Sequence, residues 1–309
     1  MINVLFSALP ARWPDYAEPL RAAFAAHGID ANLSCDHPPE EVDYIVFAPN
    51  GPITDFTPFT RCKAVLGLWA GVETVVDNET LTQPLARMVD SGLRDGMVQW
   101  VAGHVLRHHL GLDIDILGQD GTWTVRTPPL ARDRRVGILG LGALGTACGQ
   151  ALAGLDFPVM GWSRRPKKIE NITCYSGEAG LRKTLENSDI LVLLLPQTPE
   201  TENTLNADTL ALMPRGAVVI NPGRGPLIDD DALLEALESG QIGHATLDVF
   251  RIEPLPEDHP FWAHPNVTVT PHIASATRPE TASTLIAENI QRVENGQSLL
   301  NQVDRAAGY

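Results

Sequence analysis

A chain of 309 residues, 44% hydrophobic and 20% charged, has the composition of a globular protein long enough for two domains. Its 23 Lys and Arg against 38 Asp and Glu leave a net charge of −15, a field that repels phosphate backbones and anionic lipid, so neither nucleic acid nor a membrane is an expected partner. The longest aliphatic run, residues 190–195, is too short to cross a bilayer. There is no basic segment ahead of a long apolar stretch at the start, and Cys35, Cys62, Cys148 and Cys174 are scattered without metal-ligand spacing, so a reducing cytoplasm is the expected setting.

Along the chain, short apolar bursts at 3–9, 44–48 and 64–68 are separated by Pro, Gly and Asp, the rhythm of strands alternating with helices in a first α/β domain. From Gly92 the pattern changes. Val98, Val101, Ala102, Val105 and Leu112 recur at helical spacing, with Gly111 as a stop, and this helix is expected to bridge two domains. The polar stretch 118–135 reads as a long connection. A buried strand follows at 135–140, then a helix whose apolar face is Leu144, Ala147, Cys148, Ala151, Leu152 and Leu155. Further strands are expected at 159–162, 190–195, 217–221, 245–250 and 267–270, with a helix at 231–237. Strands alternating with helices predict a doubly wound parallel sheet. Leu285, Ile286, Ile290 and Val293 mark a last helix at 280–294, expected to cross back to the first domain.

Gly140-Leu141-Gly142-Ala143-Leu144-Gly145 is a G-x-G-x-x-G between an expected strand and an expected helix. In that context the first glycine permits a tight turn, the second lets backbone approach a pyrophosphate, and the third allows close helix packing. The helix N-terminus then faces the phosphates with N–H groups and partial positive charge. At the end of the next strand stands Trp162-Ser163-Arg164-Arg165, with no acid before Glu170 to accept a ribose hydroxyl. Ser163, Arg164 and Arg165 suit the 2′-phosphate of NADP, so NADPH is expected over NADH; Pro166, Lys167 and Lys168 extend the basic patch.

Three later segments begin at the C-terminal ends of expected strands: Asn221-Pro222-Gly223-Arg224-Gly225, Leu247-Asp248-Val249-Phe250-Arg251-Ile252-Glu253-Pro254, and Thr270-Pro271-His272-Ile273-Ala274. In an open parallel sheet those ends converge on the ligand crevice, so Arg224, Glu253 and His272 can meet there. A cation, a carboxylate and an imidazole facing a nicotinamide suffice for carbonyl reduction. The acidic run Asp229-Asp230-Asp231 is read as a helix cap. His104 and His108, at i and i+4, lack a third ligand, and no metal is expected.

At these segments the chain resembles the D-isomer-specific 2-hydroxyacid dehydrogenase family, most closely its glyoxylate and hydroxypyruvate reductases. The resemblance runs from residue 64 to the end at Val303-Asp304-Arg305-Ala306-Ala307-Gly308-Tyr309. It includes Trp69-Ala70-Gly71-Val72, Leu195-Pro196-Gln197-Thr198-Pro199-Glu200-Thr201 and Pro254-Leu255-Pro256. It implies a Rossmann-type cofactor domain (98–284) inserted in a smaller flavodoxin-like substrate domain (1–97 with 285–309) that closes over it, and a homodimer formed through the nucleotide domain. By the same resemblance the family's Arg, Glu and His fall on Arg224, Glu253 and His272, and its nicotinamide-amide acceptor on Asp248. Leu195, Pro196 and Thr201 join the cofactor site, while Trp69, Ala70 and Gly71 offer backbone N–H groups to the substrate carboxylate. The expected reaction is NADPH-dependent reduction of a small 2-oxo acid, glyoxylate to glycolate or hydroxypyruvate to D-glycerate. His272 is then the general acid, Glu253 its orienting partner and Arg224 the carboxylate ligand. Trp69, Trp100 and Trp262 are candidate pocket walls. Two departures stand out: Gly223 precedes Arg224 where the family usually has a residue such as alanine, and Gln99 replaces a frequent glutamate. A dehydrogenase of a bulkier D-2-hydroxy acid and a non-catalytic NADP-sensing interaction protein are the alternatives.

Overall fold

A computed structural model describes residues 1–308, so Tyr309, the last residue of the C-terminal segment in the resemblance, lies outside the described residues. The chain divides into two units, one of Met1–Leu93 and the chain from residue 276 onward, the other of Arg94–Ser275. These divisions lie a few residues before the junctions expected at 97/98 and 284/285.

The first unit begins β1 (Ile2–Ser7), α1 (Trp13–Ala26), β2 (Ala31–Ser34), β3 (Tyr44–Phe47), β4 (Ala64–Gly67) and β5 (Leu85–Ala86). All pairings are parallel, in the order β2-β1-β3-β4-β5, a flavodoxin-like arrangement. Every residue of β3 is buried, as a parallel strand covered on both faces requires. α1 buries Tyr16, Leu20 and Phe24 on this sheet despite Pro19 in its interior.

The carboxylate of Asp90 accepts from the N–H groups of Gly92 and Leu93, which starts α2 (Ser91–Leu110). Gly111, at φ 64°, ends it in the left-handed conformation that glycine takes without strain, the stop its sequence position suggested. α3 (Leu112–Leu117) follows, then irregular chain and a short 3₁₀ turn up to β6 (Val136–Leu139). The second unit continues α4 (Ala143–Ala153), β7 (Val159–Trp162), β8 (Thr173–Tyr175), α5 (Gly177–Glu186), β9 (Ile190–Leu193), α6 (Ala207–Ala211), β10 (Ala217–Asn221), α7 (Asp230–Glu238), β11 (Ile242–Leu247) and β12 (Val267–Val269). Its seven strands are parallel, in the order β12-β11-β10-β9-β6-β7-β8. This is the doubly wound sheet the sequence predicts, with its switch point between β6 and β9. Met97, Val101 and Val105 of α2 share a core with β6 and β9.

β11 begins and ends three residues earlier than the apolar run suggests. His244, polar in a sequence window, is held in the strand by a 2.9 Å hydrogen bond between its ring and Thr268. Asp229 caps α7 by accepting from the N–H of Ala232, so the acidic run does start a helix. α8 (Pro279–Glu294) returns to the first unit, where Ile286 and Ile290 join the core that contains Leu20 and Phe24 of α1.

Candidate active site

The glycine-rich turn joins β6 to α4. Gly140 has φ 104°, and a Cβ there would lie 2.4 Å from the carbonyl oxygen of Leu194; one on Gly145 would lie 1.9 Å from that of Gly140. The fold alone demands both glycines. Gly142, at the N-cap of α4, is different, because a Cβ there would meet nothing within 4 Å. What its missing side chain leaves is open space at a helix N-terminus that no side chain caps, with Ala143 exposed and Leu144 half-buried in the first turn. A pyrophosphate fits that chemistry.

At the end of β7, Ser163 is nearly buried; its N–H donates to the Tyr175 carbonyl and its hydroxyl to the Arg165 carbonyl at 2.8 Å, forming a tight turn. Arg164, Arg165, Lys167 and Lys168 project from it into solvent, and the Lys167 ammonium reaches back to the carbonyl of Leu141 in the glycine-rich turn. Across the switch point, the loop after β9 is pinned by Thr201, whose hydroxyl donates to the Pro196 carbonyl at 2.7 Å and accepts from the N–H of Thr198; Leu195 is buried in the core. Glu200 of this loop is held below the usual carboxylate range, first by the Thr198 hydroxyl and further by the charge of Arg164. Apart from Asp248, which follows β11, the sequence-predicted cofactor residues thus sit at the C-terminal ends of the neighbouring strands β7, β6 and β9.

Arg224, Glu253 and His272 occupy the loops after β10, β11 and β12, three neighbouring strands. Glu253 and His272 are brought together: Nδ1 of the imidazole lies 2.7 Å from Oε2 of the carboxylate, whose Oε1 accepts from the N–H of Phe250 at 2.9 Å. His272 itself has φ 52°, an unfavourable backbone for a residue with a side chain. Asp248 holds it there. Fully buried, its Oδ1 accepts from the Thr270 hydroxyl at 2.6 Å and the Ile273 N–H at 2.9 Å, its Oδ2 from the Ala274 N–H at 2.8 Å, and its backbone carbonyl from the His272 N–H at 2.8 Å. One carboxylate therefore fixes the backbone of the imidazole loop while another fixes the ring, and half of the His272 side chain stays exposed.

The Arg224 loop has a similar anchor. Buried Asn221, the last residue of β10, donates from Nδ2 to the Arg224 carbonyl at 2.9 Å and accepts from the Gly223 N–H at 3.1 Å. The glycine before Arg224 is a packing requirement here, since a Cβ would stand 2.8 Å from the carbonyl oxygen of Leu193. Sequence reasoning gave Asn221 no role; its only signal was a polar residue closing an apolar strand.

The remaining candidates are placed as follows. Trp100 packs against His104, with ring centroids 4.2 Å apart and the rings tilted by 51°, and Trp262 donates from Nε1 to the Pro256 carbonyl. His108 bonds Thr246 and packs 4.8 Å from His244; burial, then the charges of His244 and Arg107, pushes it down to about 3, while burial followed by Arg107 pushes His244 to about 4. In the first unit, Trp69 is 42% exposed on the loop after β4, and the N–H groups of Ala70, Gly71 and Val72 donate to no other described residue. Among the described residues no group of three or more His, Cys, Asp or Glu side chains is gathered as for a metal, and no helix is long and apolar enough to cross a membrane.

Comparison with known proteins decides what this arrangement belongs to. The family profile described as "D-isomer specific 2-hydroxyacid dehydrogenase, NAD binding domain" matches residues 103–274. The chain belongs to that family. Among its relatives within the family, the glyoxylate/hydroxypyruvate reductase A of Serratia proteamaculans is 41% identical over 257 residues, 81% of this chain and 82% of that protein. A family member from Xanthobacter autotrophicus, solved in complex with NADPH and MES, superposes with a TM-score of 0.92 at 41% identity, covering 100% of this chain and 99% of that one. The NADPH-dependent glyoxylate/hydroxypyruvate reductase of Sinorhizobium meliloti, in complex with NADP and sulfate, gives 0.85 at 34% identity, covering 100% of both.

Proposed function

We propose that this family member is an NADPH-dependent reductase of small 2-oxo acids, with glyoxylate and hydroxypyruvate its leading substrates and glycolate and D-glycerate their products. The observation that carries the reading is the 2.7 Å Glu253–His272 pair, locked by Asp248 on the edge of the sheet that bears the glycine-rich turn. The names of the relatives and the NADPH and NADP in the solved neighbours support it.

Gly140, Gly142, Ala143, Leu144 and Gly145 would hold the pyrophosphate at the start of α4, with Leu195, Pro196 and Thr201 across the switch point. Ser163, Arg164 and Arg165 would read the 2′-phosphate. Oδ2 of Asp248, with one donor against the two on Oδ1, is the oxygen left for the nicotinamide carboxamide. When bound, the reduced dinucleotide supplies a hydride to C2 of the oxo acid. His272 gives its Nε2 proton to the carbonyl oxygen as negative charge grows there, and takes it back in the reverse direction. Glu253 accepts from Nδ1–H, which fixes the tautomer and aims the ring. Arg224 engages the substrate carboxylate with its two-pronged guanidinium. In the first unit, the N–H groups of Ala70, Gly71 and Val72 have the chemistry to take an anion.

The test is consumption of NADPH, followed by absorbance, against glyoxylate, hydroxypyruvate, pyruvate and a branched 2-oxo acid. The reading requires the two small substrates to lead. Preference for the branched acid would instead indicate an enzyme of bulkier substrates, and NADPH binding without any turnover a nucleotide-sensing protein.

We also propose a homodimer formed through the second unit. Ile114, Ile116, Leu117, Val125 and Leu130 are exposed and Trp123 is 92% so, more apolar surface in one stretch of chain than a lone subunit usually leaves in water. Sedimentation of Trp123→Glu as a smaller species than the wild type would support this face; unchanged size would count against it.

A further inference from the structure

We propose that Arg251 is a positioning residue for the reduction, holding the loop that carries Arg224 and the loop that carries Glu253 in one arrangement; this rests on the reading of those two residues given above. Arg251 lies between Asp248 and Glu253, and its side chain reaches away from its own loop. Nη2 donates to the carbonyl oxygen of Ile228 at 2.6 Å, to that of Pro226 at 3.4 Å and to the side-chain oxygen of Asn203. Nη1 lies 3.3 Å from Oε1 of Glu202, and Nε lies 3.9 Å from Oδ1 of Asp230.

These partners belong to three different segments. Pro226 and Ile228 are the chain immediately beyond Arg224, Glu202 and Asn203 belong to the loop after β9, and Asp230 opens α7. One guanidinium therefore ties together the loops that follow β9, β10 and β11. The backbones it joins are already in contact. A Cβ on Gly225 would stand 2.0 Å from the carbonyl carbon of Phe250 and 2.4 Å from the nitrogen of Arg251, so the chain bearing Arg224 lies directly on the chain bearing Glu253. The loop after β9 is laced to the same place, through the N–H of Asn203 on the Pro226 carbonyl at 2.9 Å and that of Leu205 on Leu227 at 3.0 Å.

The ion pairs alone give little reason for this residue, because its side chain and that of Glu202 are 30% and 56% exposed, and such pairs contribute little. The carbonyl contacts are more telling. They require several donors fixed in a plane, which arginine has and lysine lacks. Small displacements of groups that hold a substrate are costly, so a residue that sets the spacing of two loops acts on the reaction without touching the reactants.

The experiment compares wild type, Arg251→Met, Arg251→Lys, Arg224→Lys and the Arg224→Lys/Arg251→Met double variant, reading kcat and KM for glyoxylate and hydroxypyruvate, NADPH affinity by fluorescence titration, and Tm. The expected result is that Arg251→Met and Arg251→Lys lower kcat/KM for the oxo acid about tenfold with a raised KM, while NADPH affinity stays within about twofold. If Arg251 acts through Arg224, the double variant falls no further than Arg224→Lys; effects that multiply indicate independent roles and overturn the proposal. So does an Arg251→Lys or Arg251→Met protein with wild-type KM, including one whose rate falls only in proportion to the fraction that binds NADPH. A wild-type protein that reduces none of the oxo acids overturns the proposed function and this inference together, whereas wild-type turnover with unchanged Arg251 variants overturns this inference alone.

Discussion

Two stretches of the same sheet edge are built differently. Beyond β10, β11 and β12 the functional side chains are over-determined: Asp248 accepts three hydrogen bonds through its carboxylate, Glu253 is fixed by the Phe250 N–H, and Asn221 grips the backbone on both sides of Arg224. Beyond β7, a turn closed by Ser163 presents a cluster of cationic side chains to solvent. On the proposed function, the contrast follows from what each edge would have to do. Proton transfer falls off steeply with small errors of aim, so the imidazole is fixed through both ring and backbone. Recognition of a phosphate dianion is electrostatic, tolerates movement, and needs charge more than rigidity.

The largest effect is therefore expected at the rigid edge. His272→Ala should lower the rate of reduction by about 10² to 10⁴ and leave NADPH affinity close to wild type by fluorescence titration; near-normal turnover would remove His272 from the mechanism. Asp248→Asn is expected to come next. Either orientation of the new amide sets an NH₂ against a backbone N–H, leaving buried donors unsatisfied at roughly 1–3 kcal/mol. Tm and kcat should fall together, and a fully active, equally stable variant would show that the loop of His272 is held by something else.

At the cationic edge a smaller and more selective change is expected. Replacing Arg164 and Arg165 with alanine should reduce the preference for NADPH over NADH by about tenfold or more, given roughly 1.5–3 kcal/mol for a hydrogen bond to a charged group less its exposure. The rate with saturating NADH should stay unchanged, and an unaltered NADPH/NADH ratio would refute the assignment.

The mildest effect concerns the imidazole pair formed by His108 of α2 and His244 of β11. His108 and His244 are pushed down to about 3 and about 4 from the usual 6.5, so the unfolded chain binds more protons than the native one in that interval. Stability from their neutral burial is complete above 6.5 and is lost as pH falls through 6.5 toward 4 and then 3. Tm should drop across that window, and His108→Gln should flatten the drop; an equally steep variant would place the acid sensitivity elsewhere.

How much of this was legible beforehand varied with the kind of interaction. β7 and β10 lie where their apolar runs place them, because strands buried on both faces write themselves as continuous hydrophobic sequence. α1 carries Pro19 in its interior, and the packing of Leu20 and Phe24 in the core holds the helix across it. In the site, Arg224, Glu253 and His272 could be named because each follows a strand end. Their supports could not. Asp248 acts mostly on backbone N–H groups of residues 273 and 274, and backbone donors leave no mark in a sequence. Arg251 was hidden for a related reason, since most of what it grips is carbonyl oxygen.

The central claim is that His272, aimed by Glu253, carries the proton of the reaction. Its most direct test is the pH dependence of turnover measured in both directions on the wild-type enzyme, reduction of glyoxylate with NADPH and oxidation of glycolate with NADP. One group that is acid forward and base in reverse predicts reduction that declines toward alkaline pH and oxidation that rises over the same interval. Profiles that are flat, or that move in the same direction, would contradict it.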